Sequence, residues 1–370
     1  MDNIVAALVA CLIGLTQPQE VDLVFAGDAM MHTGQLEAAK RGNGVYDYSY
    51  CFSAIAPYVR AADYAIVNLE TPVAGGNYSG YPQFNAPDSY PQALSAAGFD
   101  LFLTANNHTL DRRDRGLKLT IQTLDSLGYE HIGTYTDSLD RARRIPCVVN
   151  IRGFKVGFLN YTYGTNGFSV TSDAIVDYIN ADRIQADIAR TRKAGAEIIV
   201  AAMHWGEEYM LKPVAYEKTW AGFLEKEGVD IVMGGHPHVV QPMELRENRY
   251  TGRNFFLSYS HGNFISNMMT TDTRGGMLTR VTLARDFAGK AYVKDAAYKL
   301  VFTVPPTDIS FKPSPTSGTA PVGQRYGFVR DNYIVMPADS VPAPWRSRAD
   351  AFVASALGAF RSNVGPITRE

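Results

Sequence analysis

Six side chains in this sequence have the chemistry to hold metal ions: Asp28, Glu70, Asn107, His204, His236 and His238. Carboxylate and amide oxygens with imidazole nitrogens, and no thiolate, suit zinc, manganese or iron rather than an iron–sulfur cluster or a cysteine-held structural zinc. Six ligands are too many for one catalytic ion that must keep a position open for water. They suit two divalent ions sharing one carboxylate, an arrangement that activates a water and clamps both oxygens in the hydrolysis of a phosphoester or related anionic electrophile. His108 follows Asn107 directly, and Asp111 comes three residues later in NNHTLD (106–111). His108 can serve there as general acid toward a leaving group, with Asp111 either orienting its ring or capping a helix. Arg112, Arg113 and Arg115 come next. They either grip a substrate phosphate or carboxylate or form a solvated charged face.

Each of these residues alone has a plainer explanation. An Asp after a strand is usually a turn or cap residue, and paired asparagines are usually turn formers. The case rests on their shared position. Seven apolar, β-branched-rich runs read as strands buried on both faces: 21–27, 64–69, 100–105, 155–160, 197–203, 229–234 and 254–260. Helical patterns lie between them at Pro91–Gly98, Gly116–Gly128, Ala181–Gly195 and Pro213–Gly228. The alternation predicts an α/β layered fold. Five of the strands end at a metal-competent side chain, and ligands of open α/β sheets bind at that carboxyl edge. Of the seven histidines, four fall there. Nothing about packing requires imidazoles and carboxylates at sheet ends.

The 370 residues carry a formal net charge of -2, with 46% hydrophobic and 19% charged residues. That balance is globular, and without a basic excess nucleic acid is not an expected partner. An anionic small molecule or polymer stays compatible, because a local site can attract it whatever the net charge. Residues 4–15, IVAALVACLIGL, are too short to span a bilayer and fit the apolar core of a secretory signal over 1–17, although no Lys or Arg precedes them. The chain is therefore expected to be exported to the periplasm or cell envelope. A short buried helix or strand is the other reading of that run, and Cys11 within it resembles a lipidation site. Cys51 and Cys147 could form one disulfide at most.

The blocks GDAM (27–30), NLETP (68–72), ANNHTLD (105–111), NYTYGTNG (160–167), HWG (204–206), GGHPHVVQP (234–242) and HGNFI (261–265) resemble the calcineurin-like metallophosphoesterases. They are most similar to the CapA-type branch, whose members serve poly-γ-glutamate capsule synthesis. The resemblance implies a four-layer αββα sandwich over about 20–300, with one dinuclear site at the sheet ends. It implies that Asp28 and His238 hold one ion, that Asn107, His204 and His236 hold the other, that Glu70 bridges, and that His108 donates a proton. Tyr163, Arg112 and His261 are expected to line the substrate site. Two residues depart from the wider superfamily. Met30 stands where a histidine would complete the first ion's ligands, with His32 the nearest substitute, and Glu70 stands where an Asp is usual.

The segment 275–304 alternates like a hairpin, and 301–370 reads as an irregular extension ending in the helix RADAFVASALGAF (348–360). The leading expectation is a metal-dependent hydrolase of a phosphoester or of an anionic polymer such as poly-γ-glutamate. The alternative is a non-catalytic polymer-binding or scaffolding protein working with membrane-associated capsule machinery. A housekeeping nucleotidase or phosphatase is a third reading.

Overall fold

A computed structural model describes residues 20–306 and 332–370, so the signal-like run and Cys11 lie outside the described residues. Two mixed sheets form the centre. The first has nine strands, running in the order Ile334–Pro337, Ala291–Val304, Gly275–Arg285, Glu20–Ala29, Tyr64–Leu69, Leu101–Leu103 and Glu130–Ile132. Asn263–Ile265 pairs with Glu20–Ala29, and Ile367–Arg369 pairs with Ala291–Val304. The second sheet has six strands: Met243–Glu247, Asn254–Ser258, Ile231–Gly235, Ile198–His204, Phe154–Thr162 and Cys147–Ile151.

Period-two alternation decides the layering, because successive side chains of a strand point to opposite faces. Val21, Leu23 and Phe25 of the first sheet share one apolar cluster with Val156, Phe158, Ile198, Val200 and Ala202 of the second, so these faces pack on each other. Their neighbours Val24 and Ala26 face away, against Leu36, Val59 and Leu94 of the helices Thr33–Ala39, Ala56–Arg60 and Ser89–Ala97. On the far side Ile199, Ala201 and Met203 meet Ile184, Ile188 and Leu224 of the helices Ala181–Lys193 and Ala215–Lys226. The result is the expected αββα sandwich.

The predicted helices start within three residues of their expected positions, Ala181–Lys193 at the expected residue and Arg113–Ser126 shifted most. Gly195 and Gly228 sit just beyond two helix ends with φ of 92° and 77°, a conformation that stops a helix without a Cβ clash. The strands Cys147–Ile151 and Met243–Glu247 were not legible. Both are edge strands with partly exposed residues, so neither is a continuous apolar run.

The expected hairpin is present, Gly275–Arg285 pairing antiparallel with Ala291–Val304. The expected terminal helix is present as Arg346–Ala359, and 307–331 lie outside the described residues, but the described part of the extension is not irregular. Ile334–Pro337 returns to pair with Val301–Val304, and the helix Arg346–Ala359 buries Ala349, Phe352 and Ala356 in the inter-sheet cluster. The chain then adds the strand Ile367–Arg369. Residues 332–370 therefore belong to the sandwich. Among the described residues no helix is long and apolar enough to cross a membrane.

Candidate metal centre

The carboxyl ends of five strands from both sheets meet at one buried place. Asp28 sits where the first strand changes register, and Glu70 immediately follows Tyr64–Leu69. Gly235 leaves the space Asp28 needs, since a Cβ there would come 2.9 Å from Asp28 Oδ1. His204 ends its strand, and His236 and His238 lie just past Gly235. Both latter histidines take left-handed backbone conformations, with φ of 97° and 59°. Such conformations cost on the order of 1–3 kcal/mol each and persist only where surroundings impose them.

The side chains converge closely. Asp28 Oδ2 lies 3.2 Å from His238 Nδ1, and Glu70 Oε1 lies 3.6 Å from His204 Nε2 and 3.9 Å from His238 Nε2. Asn107 Oδ1 is 2.9 Å from His204 Nε2, and the His204 and His236 ring centroids are 4.9 Å apart. Asp28, Glu70 and His238 offer ligand atoms all within 4.8 Å of one another.

Electrostatics agree with a cation-binding role. Burial raises the Glu70 carboxyl well above its usual range, with the Asp28 charge adding to the effect. Burial also opposes ionisation of Asp28, but the hydrogen bond and charge of His238 outweigh it and hold Asp28 low. Burial pushes His204 down to about 3 and His236 well below the usual histidine range. Both are then neutral at physiological pH, the form that ligates a metal. Glu70 Oε1 and His236 Nδ1 are buried with no hydrogen-bond partner. Orphans of that kind cost about 1–3 kcal/mol each. Divalent ions coordinated by these oxygen and nitrogen donors relieve both, so the residues fit the expected metals.

An amide relay fixes the candidate ligands from behind. Asn106 Nδ2 donates to Asn68 Oδ1 at 3.1 Å, and Asn68 Nδ2 donates to Asp28 Oδ1 at 2.8 Å. Asn263 Oδ1 lies 3.0 Å from His238 Nδ1. Such partners set ring orientation and ligand basicity. Beside the cluster, His108 Nδ1 is 2.8 Å from Asp111 Oδ2, which also accepts the Phe84 N–H at 2.7 Å. Of the two roles open to Asp111, orienting His108 is the one its geometry serves.

Residues 22–268 match the bacterial capsule synthesis protein family, PGA_cap. The chain belongs to this family. It is 26% identical over 276 residues to the capsule biosynthesis protein CapA of Bacillus anthracis, covering 72% of this chain and 64% of that protein, and so spans less than two thirds of that relative's length. It is 28% identical to the PGA biosynthesis protein CapA of Bacillus subtilis, covering 72% of this chain and 68% of that one. Among solved structures, the Haemophilus influenzae NAD nucleotidase aligns at 12% identity with a TM-score of 0.49, covering 96% of this chain and 57% of that chain. The architecture itself rests on the two sheets described above.

In this PGA_cap chain all six expected ligands and the His108–Asp111 pair come together. Tyr163 joins them: its ring lies 4.5 Å from His236, and it stays 40% exposed. Two expected substrate-lining residues do not. His261 is fully buried, with Nδ1 3.1 Å from the Gly234 carbonyl and Nε2 2.8 Å from Thr279 Oγ1, so it braces the loop leading to His236 instead. Arg112 is spent on the 79–84 segment, bonding Ser79 Oγ and the carbonyls of Gln83 and Phe84, which leaves no fork for a substrate. His32 does not substitute for a missing ligand; its Nδ1 accepts the Asn267 N–H at 3.2 Å and its ring stands edge-on to Phe84. Cys51 and Cys147 are unpaired, and burial raises both thiols, Cys147 to about 12. Glu208, which groups with His236 and His238, went unread in the sequence; a carboxylate four residues after His204 was the available signal.

Proposed function

We propose that this chain is an exported, metal-dependent hydrolase of the cell envelope, acting on a phosphoester or on an amide-linked anionic polymer of the poly-γ-glutamate type. The observation that carries the reading is the buried convergence of Asp28, Glu70, Asn107, His204, His236 and His238, beside an oriented histidine. Among the described residues neither buried carboxylate has an arginine or lysine partner. The polymer class draws on the relatives' names, and export draws on the apolar run at 4–15.

Asp28 and His238 would hold one ion, Asn107, His204 and His236 a second, with Glu70 shared. Such ions supply an activated water and positive charge over the oxygens of the reacting group. His108 supplies the proton. Its Nδ1–H donates to Asp111, which stabilises the imidazolium and leaves Nε2–H to pass its proton to the leaving group. The Phe84 ring, 4.6 Å away and edge-on, restricts rotation of the imidazole. Tyr163 offers an exposed aromatic face over His236, where a substrate would lie.

One observation favours a non-catalytic, polymer-handling role. Met30 is buried, offers only a soft thioether sulfur where an imidazole would stand, and uses its carbonyl to accept from Gln35 Nε2 and the Tyr90 hydroxyl. The Asp28–His238 ion would then have three protein ligands. Elemental mass spectrometry on wild type and His236→Ala, with phosphodiester and poly-γ-glutamate hydrolysis assays in added Mn or Zn, separates the readings. The expected result is two ions per chain with turnover, both lost in the variant. His108→Ala should keep the metal and lose about 10²–10⁴-fold in kcat. Metal without turnover on either substrate class favours polymer handling, and a metal-free wild type defeats the hydrolase.

A further inference from the structure

The ligand sets of the two proposed ions are unequal, and the structure supplies a residue that balances them. Asn107, His204, His236 and Glu70 offer four protein donors to one ion. Asp28, His238 and Glu70 offer three to the other. Met30 and His32 cannot add a fourth, for the reasons given above.

We propose that Glu208 is a further metal ligand, completing the Asp28–His238 half of the centre from its solvent side. This rests on the dinuclear reading above. A Glu208 carboxylate oxygen and one ring nitrogen each of His236 and His238 all lie within 4.8 Å of one another. The site does not depend on an exposed acid alone, because both histidines grouped with Glu208 are buried and His236 keeps a ring nitrogen, Nδ1, with no hydrogen-bond partner.

The chain also holds Glu208 in place more firmly than an exposed side chain requires. The Tyr209 N–H donates to the Pro237 carbonyl at 2.8 Å, and the Trp205 N–H donates to the Gly235 carbonyl at 3.1 Å. Gln241 Nε2 donates to the Met210 carbonyl at 2.8 Å, and Trp205 Nε1 donates to the Tyr259 carbonyl at 2.9 Å. These four bonds lace segment 205–210 onto the strand ends and the segment carrying the two histidines. Tyr209 accepts a φ of 67° to make its bond. A left-handed tyrosine is an uncommon expense for a loop with no task. Glu207 beside it is also exposed but belongs to no such group.

Glu208→Gln in the full chain tests the inference, with Glu207→Gln as control and metal read by elemental mass spectrometry and calorimetric titration with Mn. The expected result is two ions in wild type and Glu207→Gln. Glu208→Gln should keep one ion and lose the second, or bind it at least about tenfold more weakly, with unchanged thermal unfolding of the metal-free chain. Two ions at wild-type affinity in Glu208→Gln overturn this inference and leave the dinuclear reading standing. A wild-type chain that takes up no metal overturns both.

Discussion

Asp177, Asp187 and Glu225 are buried carboxylates, as are Asp28 and Glu70, but only the first three meet arginine. Arg141 reaches Asp177 through Nε at 2.8 Å and also bonds Asp187, while Arg246 and Arg249 clasp Glu225. Burial alone would raise Glu225, yet the two guanidinium groups bring it down to about 2. Compensation at Asp177 is less complete, since burial still lifts that carboxyl despite Arg141. At Asp28 and Glu70 the neighbours are imidazoles and amides, and Glu70 is driven far up. Uncompensated ionised groups are expensive inside a protein. The same chain builds permanent counter-charges where carboxylates hold architecture together. It withholds one at the sheet ends, where an exchangeable cation would have to supply it.

The contrast should show most strongly in how metal changes stability. Saturating Mn or Zn, at about a hundred times Kd, should add ~2.7 kcal/mol per ion, or roughly 5 kcal/mol for two. Denaturant melts of the full chain with metal and with chelator would measure the gain. Asp28→Asn should lose about half of it, ~2.7 kcal/mol, because it removes one of the first ion's ligands. A gain of equal size in Asp28→Asn would place the stabilising ions elsewhere and dissolve the contrast.

The converse experiment attacks the arginine side. Arg141→Met leaves Asp177 and Asp187 buried beside each other, and breaking a buried pair from one side costs about 3–5 kcal/mol. Arg183 Nη1, 3.2 Å from Asp177 Oδ1, would recover part of that. Metal content should stay at the wild-type value. If Arg141→Met lost metal as well as stability, the two regions would be one coupled system.

What the sequence disclosed follows the same division. The candidate ligands were legible because long apolar runs mark the strand ends and because metal-competent side chains gather at five of those ends together. The roles of Arg112 and His261 were not, because the partners that fix them, Ser79, Gly234 and Thr279, lie 18 to 33 residues away. Glu208 looked like any surface acid until the Tyr209–Pro237 bond fixed the segment beside it. The C-terminal strands were hidden for a related reason. Ile334–Pro337 is only four residues long and gains its partner from Val301–Val304, so its pairing is set by the fold rather than by its own pattern.

A third treatment of a buried carboxylate gives the smallest expected effect. Glu217 is fully buried at the start of the helix Ala215–Lys226, where Oε2 accepts the Val214 N–H at 2.6 Å and Oε1 has no partner. Burial pushes it from 4.5 up to about 7. It meets burial with a proton instead of an arginine or an ion. Because the folded value lies above the unfolded one, Glu217 costs nothing below about pH 4.5, where both states are protonated. From there to about pH 7 the folded state binds more protons, so stability falls as pH rises and then levels off. The loss should be about 1–3.5 kcal/mol, the upper figure being the full shift at ~1.4 kcal/mol per unit. Glu217→Gln keeps the acceptor for Val214 and has no proton to lose. Urea melts at pH 5 and pH 8 should therefore show the variant gaining on wild type by that amount. An identical difference at both pH values would mean that Glu217 is charged and compensated, and that proton uptake is not how this helix start accommodates it.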